Sequence, residues 1–352
     1  MNSEDSPLET LFEPFVRGRL RWPDDGALFL RARAGRPLQE HALPGLVCEQ
    51  TFKPHADALL RAGRQMLTGE EGQYCLVLML PPRQRDEARA LMARAVAATK
   101  AGGRIVASVS NTEGARSSES DLTRIAGVVE TMSKNKCRAF WTAPLQGAAD
   151  PALAKQWREL DAVRPIGDGR FVSRPGIFAW DRIDPASALL AAHLPADLSG
   201  RAADLGSGFG FLAAELLARC PGITALDLYE AEARALDLAR RNLAGCETRA
   251  TLSYHWSDVT AGLPHRYDVI VTNPPFHIHG GTDRPDIGRR FVAAAAESLN
   301  PRGRLWLVAN RHLPYEGVLR ESFGQVRIVA QGGGFKIVEA IESLRSRSSV
   351  PS

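Results

Sequence analysis

The sequence predicts an α/β protein of two tandem Rossmann-like units, each a mostly parallel sheet with helices on both faces. Three observations predict it. Apolar strand-like runs alternate with amphipathic helical stretches through both halves of the chain, and that alternation builds parallel sheets with crossover helices. The length, 352 residues, fits two domains at roughly 100–200 residues each. A glycine turn and an Asn-Pro-Pro corner follow strands of the C-terminal half, and the N-terminal half lacks both loops. The second half reads as the chemical unit and the first as a degenerate relative of it.

In the N-terminal half, QYCLVLMLP is a buried-strand run. RDEARALMARAVAATKAGGRIVASVSN is a helix, a Gly-Gly stop and a strand, and DLTRIAGVVETM is a further helix. The stretch from QGAADPALAKQW to PIGDGR is polar and rich in Gly, Pro and Ala, which puts the boundary near Asp168. The expected units are 1–168 and 169–345, followed by a frayed tail at 346–352 that is poor in apolar residues.

The C-terminal half opens with AADLGSG, an apolar run closing on glycines, and the helical FGFLAAELLARC. GITALDLYE is a strand, AEARALDLARRNL a helix, and TRATLSYHW and RYDVIVT are strands. DIGRRFVAAAAESL is a helix that stops at NPRG. RLWLVAN is a strand, YEGVLRESF a helix, and QVRIVAQ with FKIVEAI form a closing pair of strands. Ligands of such sheets bind beyond the carboxyl ends of the strands.

Composition narrows the function classes. A net charge of +4 permits nucleic-acid binding without arguing for it. Arginine outnumbers lysine, which fits phosphate and base contact or a GC-rich coding sequence. The five cysteines include no C-x-x-C pair, which speaks against a disulfide framework or a zinc site. The acidic N-terminus has no apolar core, and no apolar run approaches the roughly 20 residues of a membrane span. A cytoplasmic protein without membrane or metal is expected, and two units in one chain make a monomer sufficient.

The chemistry gathers at strand ends. DLGSGFG, from Asp204 to Gly210, ends the first strand and opens a helix. Its glycines Gly206, Gly208 and Gly210, with Ser207, let backbone approach a ligand closely. The spacing is not that of the dinucleotide fingerprint, and such a turn also serves structure or another nucleotide. Glu230 ends the second strand, where a carboxylate can accept both ribose hydroxyls of an adenosine. Asp227 competes for that role from inside the strand. Asp258 ends the third strand and can accept the adenine amine. Each acid also has a plain structural role, as a helix N-terminal acid or a turn aspartate.

VTNPPFHIHGG follows the fourth strand. Two prolines fix two φ angles and remove two donors. Asn273 offers a side-chain carbonyl and Pro274 a backbone one, and Pro275 stiffens the corner. Phe276 can stack on a planar ring. Two fixed acceptors hold an amino group by its hydrogens and aim its lone pair at an electrophile. Such positioning contributes on the order of 7–11 kcal/mol. S-adenosylmethionine is the matching methyl donor. His277 and His279 lack a carboxylate or cysteine partner nearby, so they are not read as metal ligands.

DLGSGFG with NPPF resembles the class I S-adenosylmethionine-dependent N-methyltransferases. The longer context resembles the RsmC type of ribosomal RNA guanine-N2 methyltransferases. SRPGIFAWDRIDPASALL is similar to their lead-in, NPPFH to their catalytic corner, and VANRHLPYEGVLRESFGQVRIVAQGGGFKIVEA to their C-terminal signature. SNTEGARSSES resembles, more faintly, their silent N-terminal domain. The resemblance implies a seven-stranded methyltransferase sheet with an antiparallel last strand, S-adenosylmethionine as cofactor, and a guanine of small-subunit ribosomal RNA or the 30S particle as substrate. Arg174, the second residue of the lead-in, and His277 are then candidate substrate contacts. The lead-in reads DPAS where the family carries a glycine before a small hydroxyl residue, so Ser187 is not carried over as a ligand.

RGRLRW (Arg17–Trp22), KNKCR (Lys134–Arg138) and RPDIGRR (Arg284–Arg290) are candidate phosphate contacts or solvated charged faces. On this reading the N-terminal unit positions RNA and the C-terminal unit transfers the methyl. The alternatives are a large-subunit guanine, glutamine or adenine-N6 methylation on the same corner, and a non-catalytic ribosome assembly factor.

Overall fold

A computed structural model describes residues 6–69, 72–246, 249–275, 285–312 and 315–344, with backbone alone at 277–278, 282–283 and 285. The chain divides into two compact units, Met1–Ala162 and Val163–Ser352. The Gly167-Asp168-Gly169 stretch is the turn of a hairpin inside the second unit, with Asp168 at φ 54°.

The first unit runs α1 (Ser6–Val16), β1 (Ala27–Leu30), α2 (Arg36–Glu40), β2 (Leu46–Cys48), α3 (Lys53–Arg61), β3 (Gln65–Met66) and β4 (Tyr74–Met79). It continues with α4 (Arg85–Ala98), β5 (Thr99–Ser110), α5 (Ala115–Ala126), β6 (Val129–Lys134), β7 (Cys137–Thr142) and α6 (Pro151–Arg158). The expected helix DLTRIAGVVETM is divided: α5 ends at Ala126, Gly127 adopts φ 84°, and Val129 to Met132 belong to β6. The left-handed conformation that glycine tolerates stops the helix, and the β-branched residues beyond it pair as a strand.

The second unit opens with the hairpin β8 (Arg164–Ile166) and β9 (Phe171–Ser173). Then come α7 (Pro185–His193), β10 (Ser199–Leu205), α8 (Phe211–Arg219), β11 (Gly222–Glu230), α9 (Ala233–Asn242), β12 (Thr251–Trp256) and β13 (Tyr267–Thr272). A short pair, β14 (His277–Ile278) and β15 (Thr282–Asp283), precedes α10 (Pro285–Ser298), β16 (Leu299–Asn310), α11 (Glu316–Ser322), β17 (Phe323–Gly332) and β18 (Phe335–Ser343).

Each unit holds a seven-stranded sheet, ordered β3-β2-β1-β4-β5-β7-β6 in the first and β12-β11-β10-β13-β16-β18-β17 in the second. These are the same order. In both, the last two strands pair antiparallel and the others parallel. Register agrees as well. Leu76 pairs with Arg104 as Val269 pairs with Arg304, and each pairing follows a register shift after a tyrosine, Tyr74 or Tyr267. The duplication, hidden at the level of residue identity, is plain in the hydrogen bonding.

Alternation along the strands builds the core on both faces. Ala202, Leu226, Val269 and Val271 pack with α7, α8 and α9, whereas Ala203, Leu205, Tyr229 and Ile270 pack with α10 and α11. Central strands buried on both faces read as continuous apolar runs, which is why β10 and β13 were legible. Among the described residues no helix is long and apolar enough to cross a membrane.

Gly303 sits where β13 and β16 approach. An added Cβ would lie 2.9 Å from the Tyr267 carbonyl oxygen and 2.7 Å from Leu299 Cδ2. Gly317, within α11, has open space around it. Gly303→Ala should lower stability by about 1–3 kcal/mol, while Gly317→Ala should leave it level or raise it by up to about 1 kcal/mol. Denaturant unfolding of both variants checks the pair.

Candidate active site

The strands β10, β11, β12 and β13 lie side by side, so the loops after Leu205, Glu230, Trp256 and Thr272 open on one crevice. Thr272 Oγ1 donates to the Leu205 carbonyl at 2.7 Å. That bond sets the Asn273 corner beside the glycine turn.

The turn is shaped by left-handed backbone at Gly206 (φ 73°), Gly208 (φ 54°) and Gly210 (φ 89°). The amides of Gly206 and Ser207 donate to the Tyr229 carbonyl, at 2.9 and 3.1 Å, which stitches the turn to β11. A Cβ at Gly210 would stand 3.2 Å from Ala239 Cβ, so glycine there lets α9 pack close. A Cβ at Gly208 would meet nothing within 4 Å. Of the three, Gly208 is the one that borders open space.

Asp204 is fully buried at the end of β10, and neither carboxyl oxygen has a hydrogen-bond partner. Burial pushes its carboxyl up to about 8. The buried hydroxyl of Ser207 is likewise without a partner. Glu230 accepts from the Gly208 amide and the Glu232 amide, both at 2.8 Å. Burial raises its carboxyl and those amides pull the other way. Glu230 thus shapes the glycine turn, and each oxygen keeps a second lone pair for a ligand hydroxyl. Asp258 Oδ1 accepts from the Thr260 amide at 2.9 Å and its hydroxyl at 2.7 Å, capping the single turn Val259–Ala261. The capping uses one oxygen of the two.

Asp227, the competitor of Glu230, is committed below the crevice. It accepts from Tyr267 Oη and Arg201 Nη2, each at 2.7 Å, and Tyr229 Oη lies 2.6 Å from Tyr267 Oη.

At the corner, Asn273 Nδ2 donates to Asp184 Oδ2 at 3.0 Å and to Ser187 Oγ at 2.9 Å. Its Oδ1 is buried and has no donor. Both partners come from the start of α7, where Asp184 also caps the helix by accepting from the Ser187 amide at 2.8 Å. The donor end of the amide is spent on the protein and the acceptor end is not. Pro274 is buried and Pro275 half-buried beside it. Phe276 lies outside the described residues, as does the side chain of His277; the His277 backbone pairs with Asp283.

The hairpin β8–β9 and the lead-in pack against the glycine turn. Ile166 and Phe171 join Phe209 in one apolar cluster. Asn242 fastens the contact: its Oδ1 accepts from the Val172 amide at 2.8 Å, and its Nδ2 donates to the carbonyls of Val172 and Phe209 at 3.0 and 2.8 Å. Arg174, half-buried, follows β9, and its carbonyl accepts from the Ile177 amide at 3.3 Å. Asp184, Ser187 as a partner of Asn273, and Asn242 escaped the sequence reading. Asp184-Pro185 carried a helix-start signal, which says nothing of a partner 89 residues away. Among the described residues no group of three His, Cys, Asp or Glu side chains is placed to hold a metal ion.

Asp204 generates a pH prediction. Between the ordinary aspartate value near 4 and its folded value of about 8, the folded chain holds a proton that the unfolded chain has released. Stability should therefore fall as pH rises through that window. Asp204→Asn should remove that part of the pH dependence and become the more stable form at pH 8, by on the order of a few kcal/mol. Thermal unfolding of both forms from pH 5 to pH 8 checks it.

Residues 168–339 match the family described as Methyltransferase small domain. The chain is 30% identical over 287 residues to "Ribosomal RNA small subunit methyltransferase C" of Shewanella sp. (strain MR-4), covering 81% of this chain and 82% of that protein. Against the protein of the same name from Salmonella newport (strain SL254) it is 29% identical over 269 residues, covering 76% and 75%. Its fold matches a solved structure of the T. thermophilus 16S rRNA N2 G1207 methyltransferase (RsmC) in complex with AdoMet and guanosine, with a TM-score of 0.78, 23% identity, and coverage of 96% of this chain and 91% of that one. On these likenesses and the geometry above, the chain belongs to the ribosomal RNA small subunit methyltransferase C family.

Proposed function

We propose that this chain transfers a methyl group from S-adenosylmethionine to the exocyclic N2 of a guanine in small-subunit ribosomal RNA. The observation that carries the reading is the Asn273 amide, pinned through Nδ2 by Asp184 and Ser187 with Oδ1 buried and unspent. A carbonyl oxygen so fixed accepts an N–H from an aryl amine and turns the nitrogen lone pair in a set direction. The Pro274 carbonyl is the second acceptor in this reading, and Phe276 and His277 border the base. Arg174 is a substrate contact.

The residues of the glycine turn fit S-adenosylmethionine. The buried, unpartnered Asp204 carboxyl and Ser207 hydroxyl suit polar and cationic groups of its amino-acid part. The open side of Gly208 admits close approach, Glu230 has lone pairs for ribose hydroxyls, and Asp258 has an oxygen for the adenine amine. When bound, S-adenosylmethionine supplies an electrophilic methyl on a sulfonium. The chain's part is to orient the amine through the Asn273 and Pro274 carbonyls; on taking the methyl, the amine would give its proton to solvent and the sulfonium would leave as a neutral thioether. Orientation of this kind lowers the barrier without a covalent enzyme intermediate.

The second unit performs this transfer in the proposal, and the first places the RNA. Ribosomal subunits are met in the cytoplasm, where the chain acts as a monomer. A base held in a duplex must be unstacked to reach the corner, at a cost of a few kcal/mol, so a grip on the RNA backbone is needed.

The test uses purified protein, labelled S-adenosylmethionine, and small subunits from cells lacking this gene, followed by nucleoside analysis. Labelled N2-methylguanosine is expected. Asn273→Ala should reduce its rate of formation on the order of 100-fold or more, with S-adenosylmethionine affinity within about twofold of the parent. Label in large subunits or in a protein would retain the corner chemistry and discard this substrate. No label anywhere would contradict the reading.

A further inference from the structure

The matched registers allow the N-terminal sheet to be compared with the catalytic one position by position. Phe29 pairs with Leu78 as Asp204 pairs with Val271, so Phe29 holds the place of the buried acid. Two residues on, Arg31 holds the place of Gly206 and keeps its left-handed backbone, φ 55° against 73°. Gln50 stands where Glu230 stands. It even accepts from the amide two residues ahead, Phe52, at 2.9 Å, as Glu230 does from Glu232. After β4 the chain reads Leu80-Pro81-Pro82-Arg83, against Asn273-Pro274-Pro275-Phe276 after β13. Two of the carboxylates have gone and guanidiniums stand at the places of Gly206 and Phe276, while Glu49 takes the place of Tyr229 and the sequence keeps an acid, Glu70, four residues past Met66 as Asp258 is four past Tyr254. An adenosine ligand loses the buried acid, the ribose acid and the glycine approach.

Part of this positive charge is paired locally and part is not. Arg31 is bound to Glu87, and Glu49 takes the Arg31 amide and pairs with Arg94. Arg85, Arg89 and Arg124 all turn to the single buried carboxylate of Asp121, which leaves positive charge in excess. Arg83 follows β4 and Arg116 opens α5 after β5, and β4 and β5 are neighbours in the sheet. Both arginines are exposed, and neither has an acceptor among the described residues. In the basic clusters RGRLRW and KNKCR, Arg17 and Lys134 share Glu13 and Arg138 binds Glu119, while Arg19, Arg21 and Lys136 are exposed.

We propose that this retired cofactor edge of the N-terminal sheet, through Arg83 and Arg116, grips phosphates of the substrate RNA. The inference rests on the ribosomal RNA reading above. Guanidiniums suit the task because their planar forks match phosphate oxygens.

The test is RNA binding by the full chain. Wild type, Arg83→Gln/Arg116→Gln and Arg83→Lys/Arg116→Lys are titrated with small-subunit ribosomal RNA over a salt series, and methylation is measured at saturating RNA. The Gln pair should weaken binding about tenfold and lower the slope of log affinity against log salt by about 1.5, since each lost phosphate contact removes roughly 0.7–0.9. The Lys pair should keep most of both. S-adenosylmethionine affinity, measured for all three, should not change, which shows the fold intact. Wild type that methylates the RNA while the Gln pair binds it with unchanged affinity and salt slope would overturn this inference alone. Wild type that neither binds nor methylates the RNA would overturn the functional reading and this inference together.

Discussion

The orientation of one side-chain amide governs the rest of the site. An asparagine has a donor end and an acceptor end of nearly equal shape, and only its neighbours decide which end faces a substrate. Here a carboxylate and a hydroxyl take both N–H groups of Asn273. Turning the amide over would set its carbonyl against the Asp184 carboxylate and leave buried N–H groups unpaired, at a cost of about 1–3 kcal/mol for each. Asp184 is itself fixed as the cap of α7. Helix start, lead-in and the Asn273 corner are thus one polar cluster. Its position depends on the packing of α7 against the sheet and on the Thr272–Leu205 bond that ties the ends of β13 and β10.

The duplicated sheet separates what the fold requires from what the chemistry requires. The first unit keeps the strand order, the register shift and the Pro-Pro corner. The stiff corner is therefore a property of the scaffold, a rigid exit from a buried strand. Where the second unit has Asn273, the first has Leu80, which is buried. Where the second has an acid at the end of its first strand, the first has Phe29, also buried. Apolar residues at these places fill the crevice and favour the fold. An unpartnered acid at Asp204 does the reverse: burial pushes its carboxyl up to about 8, and the second unit carries that cost in the proposed cofactor site.

Local signals were legible in the sequence and remote ones were not. The apolar runs of β10 and β13, the glycine turn and Asn-Pro-Pro each declare themselves within a few residues, so both the sheet and the crevice could be placed. Place along β11 separates Glu230, at the strand's end, from Asp227 inside it, and the two face different surroundings: Asp227 a tyrosine–arginine network, Glu230 the glycine turn. Asp184 and Asn242 act across 89 and 70 residues, and nothing in their own neighbourhood announces those partners. Gly127 was passed over as a helix stop because the apolar period continues beyond it. The kinship of the two units was faint in residue identity because core positions changed as well as those of the site, Leu28 against Ala203 and Val77 against Ile270; hydrogen-bond register, which depends on the backbone, preserved it.

The central claim is that Asp184 acts through Asn273 to present one carbonyl to the substrate amine. A double-mutant cycle on kcat measures that directly, using Asp184→Ala, Asn273→Ala and the double variant well below their unfolding temperatures. Coupled action predicts that Asp184→Ala alone slows transfer on the order of tenfold, and that adding it to Asn273→Ala costs almost nothing further. If the two losses instead multiply in full, Asp184 does not work through the amide, and the account of the corner is wrong.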